Sequence, residues 1–301
     1  MDPAQPLRDF KPERMFFIGI DSDGCVFDSM EVKQKECFIP VFIKTFRLQA
    51  ASKYARQTSE FVNLYSKTRG SNRFPALALS LNLLRRRPEV IARGVAVADT
   101  RALEDWIARE SKLGNDTLAA EIQSGNQALA PFLAWSKAVN AAVADMVQSV
   151  PPFPLVRECL EKLTASADAM VISQTPGEAL RREWADNRMD SYVKLIAGQE
   201  MGTKGEHLKW AAGGKYPREN ILMIGDAPGD YKAAKSNQAL FFPVVPGQEE
   251  RSWQRLLEEG LDRFFAGTFA GGYEKELFAE FDASLPATPP WEEAPEAKRL
   301  N

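Results

Sequence analysis

The sequence predicts an α/β protein: a parallel sheet with helices on both faces, interrupted after its first strand by an all-helical insertion. Three observations carry that reading. Short apolar runs alternate with helix-period segments from Pro151 onward, the pattern of βαβ units. Those runs are apolar at every position rather than every second one, as strands buried on both faces require. Residues 30–149, finally, show helical spacing of apolar side chains and no strand signal.

Taken in order, residues 15–20 read as the first buried strand, which ends on Asp21. Three helical stripes follow: Phe38, Val41, Phe42 and Phe46; Leu77, Leu81 and Leu84; and Leu129, Phe132, Leu133, Val139, Val143 and Met146. Their spacing places them on the packed faces of a helical bundle. Pro151, Pro152 and Pro154 mark the return to the sheet. Helices are then expected at 155–163, 176–187, 203–212 and 229–236, and strands at 169–173, 193–197, 221–225 and 240–245. Two more helices fit 249–259 and 273–283. The division is therefore an α/β domain of 1–29 plus 150–284, a helical insertion of 30–149, and a Pro- and Glu-rich tail, 285–301, expected to be mobile.

Composition narrows the function classes. Apolar residues make up 45% and charged residues 26% of the 301, enough for a sizeable core and unlike a disordered chain. The net charge of −3 supplies no basic field, so nucleic acid is not an expected partner. Cys25, Cys37 and Cys159 are odd in number and form no CxxC, which points to a reducing compartment. The start of the chain lacks the layout of a secretory signal, and the first apolar run is too short to span a bilayer. A cytoplasmic protein with no membrane partner is expected.

Chemistry concentrates in two short motifs. Asp21-Ser22-Asp23-Gly24 closes the first strand, and side chains two apart on an extended chain point the same way. Gly225-Asp226-Ala227-Pro228-Gly229-Asp230 repeats the layout at the end of another strand. Ligands of open α/β sheets bind at that carboxyl edge. Carboxylates about 4 Å apart repel by roughly 4 kcal/mol at an effective dielectric near 20. A hard divalent cation removes the conflict, and an all-oxygen set suits Mg²⁺. Zinc is disfavoured by a single histidine and scattered cysteines.

FFIGIDSDGCVFDS, VISQT, Lys204 and MIGDAPGD resemble the four motifs of the haloacid dehalogenase superfamily, phosphatase branch. The resemblance covers the α/β portions and implies a Rossmann-like core. It implies that Asp21 attacks phosphorus to form an aspartyl-phosphate, and that Asp23 protonates the leaving oxygen and then activates water. Ser173 would bind a phosphoryl oxygen, and Lys204 would neutralise phosphoryl charge and hold Asp21. Asp226 would bind Mg²⁺ with Asp21 and the backbone carbonyl of Asp23, while Asp230 would support the metal shell or the lysine. Two departures stand out: Cys25 replaces the usual Thr, and Gly-Glu rather than Pro-x-Pro follows Lys204. The presence of Asp23 favours phosphate esters, since dehalogenases and phosphonate-cleaving relatives lack that acid.

The insertion resembles the helical cap of one branch of the family, which closes over substrate. Within it, Tyr65 to Arg73 reads as a cationic loop between two helices, where Arg69 or Arg73 could clamp a carboxylate or second phosphate. Gln174, beside Ser173, is a further substrate-binding candidate. His207, without a Ser or Cys partner in view, is expected to be exposed or merely packed. The expected partner is a small phosphorylated metabolite and the expected activity its hydrolysis. A phosphomutase, or a phosphoryl-accepting sensor of the receiver kind, are the alternatives.

Overall fold

The computed structural model describes residues 2–292. The chain forms two compact units, Met1–Met30 with Ser149–Ser284 and Glu31–Gln148 with Leu285–Asn301. The first holds one sheet of five parallel strands: β1 Phe16–Ile20, β2 Ala167–Ile172, β3 Leu195–Ala197, β4 Ile221–Gly225 and β5 Leu240–Pro243. Their order is β3-β2-β1-β4-β5, so β1 is central. Its last residue, Ile20, pairs with Val171 on one side and Ile224 on the other. That register brings the chain ends after β1, β2 and β4 level with one another.

The strands form where the sequence is apolar throughout: β2 and β4 are buried at every position. Helices Val156–Thr164, Gly177–Asp186, Lys204–Ala211 and Pro228–Ser236 connect them. Trp184 and Trp253 are fully buried in the core beside Phe27 and Phe264, and burying a large apolar side chain contributes about 1.5–3 kcal/mol. The helix expected over 249–259 is instead Glu249–Arg255, a wide π turn at Leu256–Gly260 and a short helix Leu261–Phe265. Gly260 sits so close to Phe242 that a Cβ would meet its ring at 3.2 Å.

At the amino edge of the same sheet, Asp168 near the start of β2 is fully buried. Its Oδ2 accepts from the backbone N–H of Glu13 and of Arg14, both at 2.9 Å, and from the Tyr216 hydroxyl at 2.7 Å. Its Oδ1 has no hydrogen-bond partner among the described residues. This carboxylate ties the segment leading into β1 to β2.

The second unit is helical, with Ile39–Thr45, Ser52–Asn63, Arg73–Arg86, Arg101–Arg109, Asn115–Gln123 and Ala130–Met146 as its longer helices. Phe42, Leu77, Leu81, Leu84, Phe132 and Val139 from the three stripes meet in one core with Trp106. Met146 is the exception: at 54% exposure it lies beyond the buried stretch. The tail expected to be mobile divides in two. Leu285 is buried and Trp291 packs on Phe61 and Arg87 of the helical unit, whereas 293–301 lie outside the described residues. Among the described residues no helix is long and apolar enough to cross a membrane.

Candidate active site

The carboxyl edge of the sheet gathers the predicted acids. The backbone N–H of Asp21 still donates to the Ile224 carbonyl at 3.0 Å, so the ladder carries the residue to the rim of the sheet. The chain then turns sharply. The Ser22 carbonyl accepts from Val26 at 2.9 Å and Phe27 at 3.1 Å, and Gly24 takes φ 75°, a conformation costly for any residue with a Cβ. Two buried indoles hold this turn from different helices. Trp184 Nε1 donates to Ser22 Oγ at 3.0 Å, and Trp253 Nε1 donates to the Cys25 carbonyl at 2.8 Å.

One ligand oxygen from each of Asp21, Asp226 and Asp230 lies within 4.8 Å of the other two, and all three residues are buried. Lys204 Nζ bridges two of them, 2.7 Å from Asp21 and 2.5 Å from Asp230. Its position follows from local sequence. Thr203 caps the helix, accepting from Glu206 N at 3.3 Å while the Glu206 carboxylate accepts from Thr203 N at 2.8 Å, so Lys204 opens the first turn. Asp230 is fixed in turn by the Ala227 N–H, which donates to its Oδ2 at 3.0 Å. Gly225 leaves room for it, since a Cβ there would lie 2.5 Å from Asp230 Cβ.

The electrostatics are those of crowded charge. Burial raises Asp21 well above the usual carboxylate range; Lys204 opposes that, while Asp230 and Asp226 add to it. Asp230 is likewise raised, first by burial. Burial works against the Lys204 ammonium, but Asp21 and Asp230 outweigh it and hold its pKa above the ordinary lysine value. Three carboxylates with one oxygen each within 4.8 Å of the others form a hard-oxygen set that could hold a divalent cation such as magnesium.

Asp23 stands apart from that trio. Its Oδ1 accepts from the Ser29 hydroxyl, and its Oδ2 accepts from the Thr175 hydroxyl at 2.5 Å. Both oxygens of the predicted acid/base are therefore held by hydroxyl groups, and its carboxylate is not among the three that cluster. Ser173 is buried at the end of β2, where its Oγ accepts from Thr175 N at 3.2 Å. Gln174 is exposed, its amide donating to the Gly202 carbonyl at 3.0 Å. Arg69 stands between helices Ser52–Asn63 and Arg73–Arg86, as expected, whereas Arg73 opens the second of them, and both side chains are engaged within the unit. Arg69 is 2% exposed and donates to the Leu64 carbonyl at 2.9 Å, and Arg73 donates to Asn140 Oδ1 at 2.6 Å.

Sequence reasoning missed Ser29, Thr175, Trp184 and Trp253. Thr175 carried a signal, standing two residues after Ser173 in an extended stretch. The tryptophans carried none, because distant helices bring them to the turn. His207 is packed, and fully buried; burial pushes it down to about 4.

No protein-family model matches the sequence, and no curated protein matches it. Solved structures similar to the chain include a haloacid dehalogenase-like family hydrolase from Xanthomonas campestris, 10% identical over 86% of this chain and 96% of that one, with a TM-score of 0.45. A hydrolase of the haloacid dehalogenase-like family from Streptococcus pneumoniae is 13% identical over 80% and 91% of the two chains, with a TM-score of 0.40. A third, described as a predicted phosphoglycolate phosphatase from Haemophilus somnus, is 14% identical over 77% and 86%, at a TM-score of 0.44. At such identities and scores, function has to be argued from the site itself.

Proposed function

We propose that the chain is a magnesium-dependent phosphatase of the haloacid dehalogenase type, acting on a small phosphate monoester through a covalent intermediate on Asp21. The observation that carries this reading is the bridge of Lys204 between Asp21 and Asp230, at an edge that also gathers Asp226. Such a cluster is badly arranged for stability and well arranged for receiving a phosphoryl dianion with a cation.

In the first step an Asp21 carboxylate oxygen attacks phosphorus, and the bond from phosphorus to the ester oxygen breaks. Asp23 gives its proton to that leaving oxygen. In the second step Asp23, now ionised, takes a proton from a water as the water oxygen attacks phosphorus. The bond from phosphorus to Asp21 breaks, and inorganic phosphate leaves. Ser29 and Thr175 orient the Asp23 carboxyl through both halves. Lys204 works against the rise that burial imposes on Asp21 and offers positive charge to the phosphoryl oxygens; Ser173 donates to another. Magnesium held by Asp21, Asp226 and Asp230 would supply further neutralisation of those oxygens.

The test is phosphate release from a panel of sugar phosphates, nucleotides and carboxylated phosphate esters, with magnesium and with a chelator, alongside mass spectrometry of the trapped enzyme. Release that requires magnesium, with phosphate found on Asp21, is the expected result. Stable phosphorylation of Asp21 without release would instead identify a sensor, and phosphate moved between positions of one sugar a mutase.

A further inference from the structure

Ser22 stands between the two carboxylates to which the reaction is assigned, yet its side chain lies in the core. It is fully buried and bonded to two residues of the helix Gly177–Asp186. A buried hydroxyl is costly unless its hydrogen bonds are met, and here both are. Ser22 Oγ accepts from Trp184 Nε1 at 3.0 Å and donates toward Glu183 Oε2 at 3.5 Å. Trp184 is itself fully buried, with its ring edge-on to Phe27 at 5.8 Å between centroids. An indole N–H only donates, so Trp184 has a single polar bond to give and spends it on Ser22.

The two carboxylates that flank Ser22 are anchored unequally. Asp21 is held without its help: the backbone N–H bonds to the Ile224 carbonyl at 3.0 Å, and Lys204 Nζ lies 2.7 Å from the carboxylate. Asp23 comes after the ladder has ended, inside the turn. Ser29 and Thr175 fix the rotation of its carboxyl, but the place of its Cα is set by the backbone on either side. Trp253 fastens that backbone beyond Asp23, at the Cys25 carbonyl, and Trp184 fastens it before Asp23, at Ser22. The helix Gly177–Asp186 thus reaches the turn from both of its ends. Thr175, two residues ahead of it, holds the Asp23 carboxyl, and Trp184, in its last turn, holds Ser22.

We propose that Trp184 is a positioning residue: through Ser22 it sets the place of Asp23, and so governs proton transfer to the leaving oxygen. This inference rests on the phosphatase reading. An acid displaced by a fraction of an ångström loses much of its effect, while a nucleophile that is separately held keeps its own. The consequence is selective. An alkyl phosphate, whose leaving oxygen needs a proton, depends on Asp23. With p-nitrophenyl phosphate the phenolate leaves unprotonated, so that ester is indifferent to it.

Trp184→Phe keeps a ring beside Phe27 and removes the one donor. Its kcat/KM, which reports transfer to Asp21, should fall about 10- to 100-fold for an alkyl phosphate and less than about threefold for p-nitrophenyl phosphate. The accompanying loss in Tm should not exceed about 4 °C. Ser22→Ala removes the acceptor and should show the same selectivity, and the double variant should add little to either single loss. Equal losses on the two esters, or losses that multiply in the double variant, overturn the proposal. Hydrogen exchange needs no substrate. Amides of residues 22–25 should exchange faster in Trp184→Phe while those of β1 keep their protection, and an unchanged turn overturns the proposal as well. A wild type inert to both esters sinks the phosphatase reading instead, and exchange then still decides whether Trp184 holds the turn. Should Trp184→Phe not fold, Ser22→Ala carries both measurements.

Discussion

The two edges of one sheet treat buried acid in opposite ways. At the amino edge, Asp168 meets two backbone N–H groups from the segment it holds in place and the hydroxyl of Tyr216. At the carboxyl edge, Asp21, Asp226 and Asp230 crowd within 4.8 Å, and Lys204 bridges two of them, Asp21 and Asp230. Burial of a carboxylate is thus no mark of function by itself. What separates the edges is the balance of charge: the amino edge is built around one anion, whereas the carboxyl edge brings anions together against their own repulsion. Arrangements of the second kind persist where a ligand or reaction uses them.

The largest effect expected from this contrast is on turnover. Asp21→Asn should lower phosphate release by roughly 10⁴-fold or more, as loss of a covalent nucleophile does elsewhere. Its unfolding free energy measured in chelator should stay level or rise, because one of three crowded charges is gone. A large stability loss in that variant would erase the distinction between the edges. Next, Asp23→Asn should reduce kcat about 10²- to 10⁴-fold, while calorimetric magnesium affinity holds, since its carboxylate lies outside the trio. Loss of magnesium binding would move Asp23 into the metal site.

At the amino edge the expected effect is smaller and of another kind. Asp168→Asn keeps the volume but loses charge-assisted bonds, costing about 3 kcal/mol in denaturant unfolding, with kcat unchanged at temperatures where the variant is folded. A fall in kcat without a fall in stability would contradict a purely structural edge.

His207 gives the smallest change, and the sign is fixed by its direction of shift. Burial pushes its pKa from 6.5 to about 4, so between those values the unfolded chain takes up a proton that the folded chain refuses. Stability falls as pH drops through that window, by at most about 3 kcal/mol, and is unaffected by this group above it. His207→Leu should flatten that part of the stability–pH curve. An unchanged slope would show that other groups govern it.

Much of the core was legible in the sequence because its signals are local. Continuous apolar runs marked β1 and β4 within a residue, and the Thr203–Glu206 capping pair places Lys204 in the first turn of its helix despite the missing Pro-x-Pro. The helical stripes were readable for the same reason, though Met146 fell beyond the packed stretch. Where a side chain's role depends on a distant partner, spacing was silent. Arg69 and Arg73 read as parts of a cationic loop, and only folding of the unit shows the first buried and the second bonded to Ser136 and Asn140.

By itself, then, the sequence determined the alternation of strands and helices, the helical insertion and the acids that end β1 and β4. These are properties of neighbouring residues, set by backbone period and apolar pattern. Only the tertiary structure decided that β1 lies between β2 and β4, which makes Asp21 and Asp226 neighbours. It also decided that hydroxyls from Ser29 and Thr175 hold Asp23 and that Trp184 and Trp253 brace the turn between. Those pairings join residues far apart in the chain, and packing of the whole core selects among them.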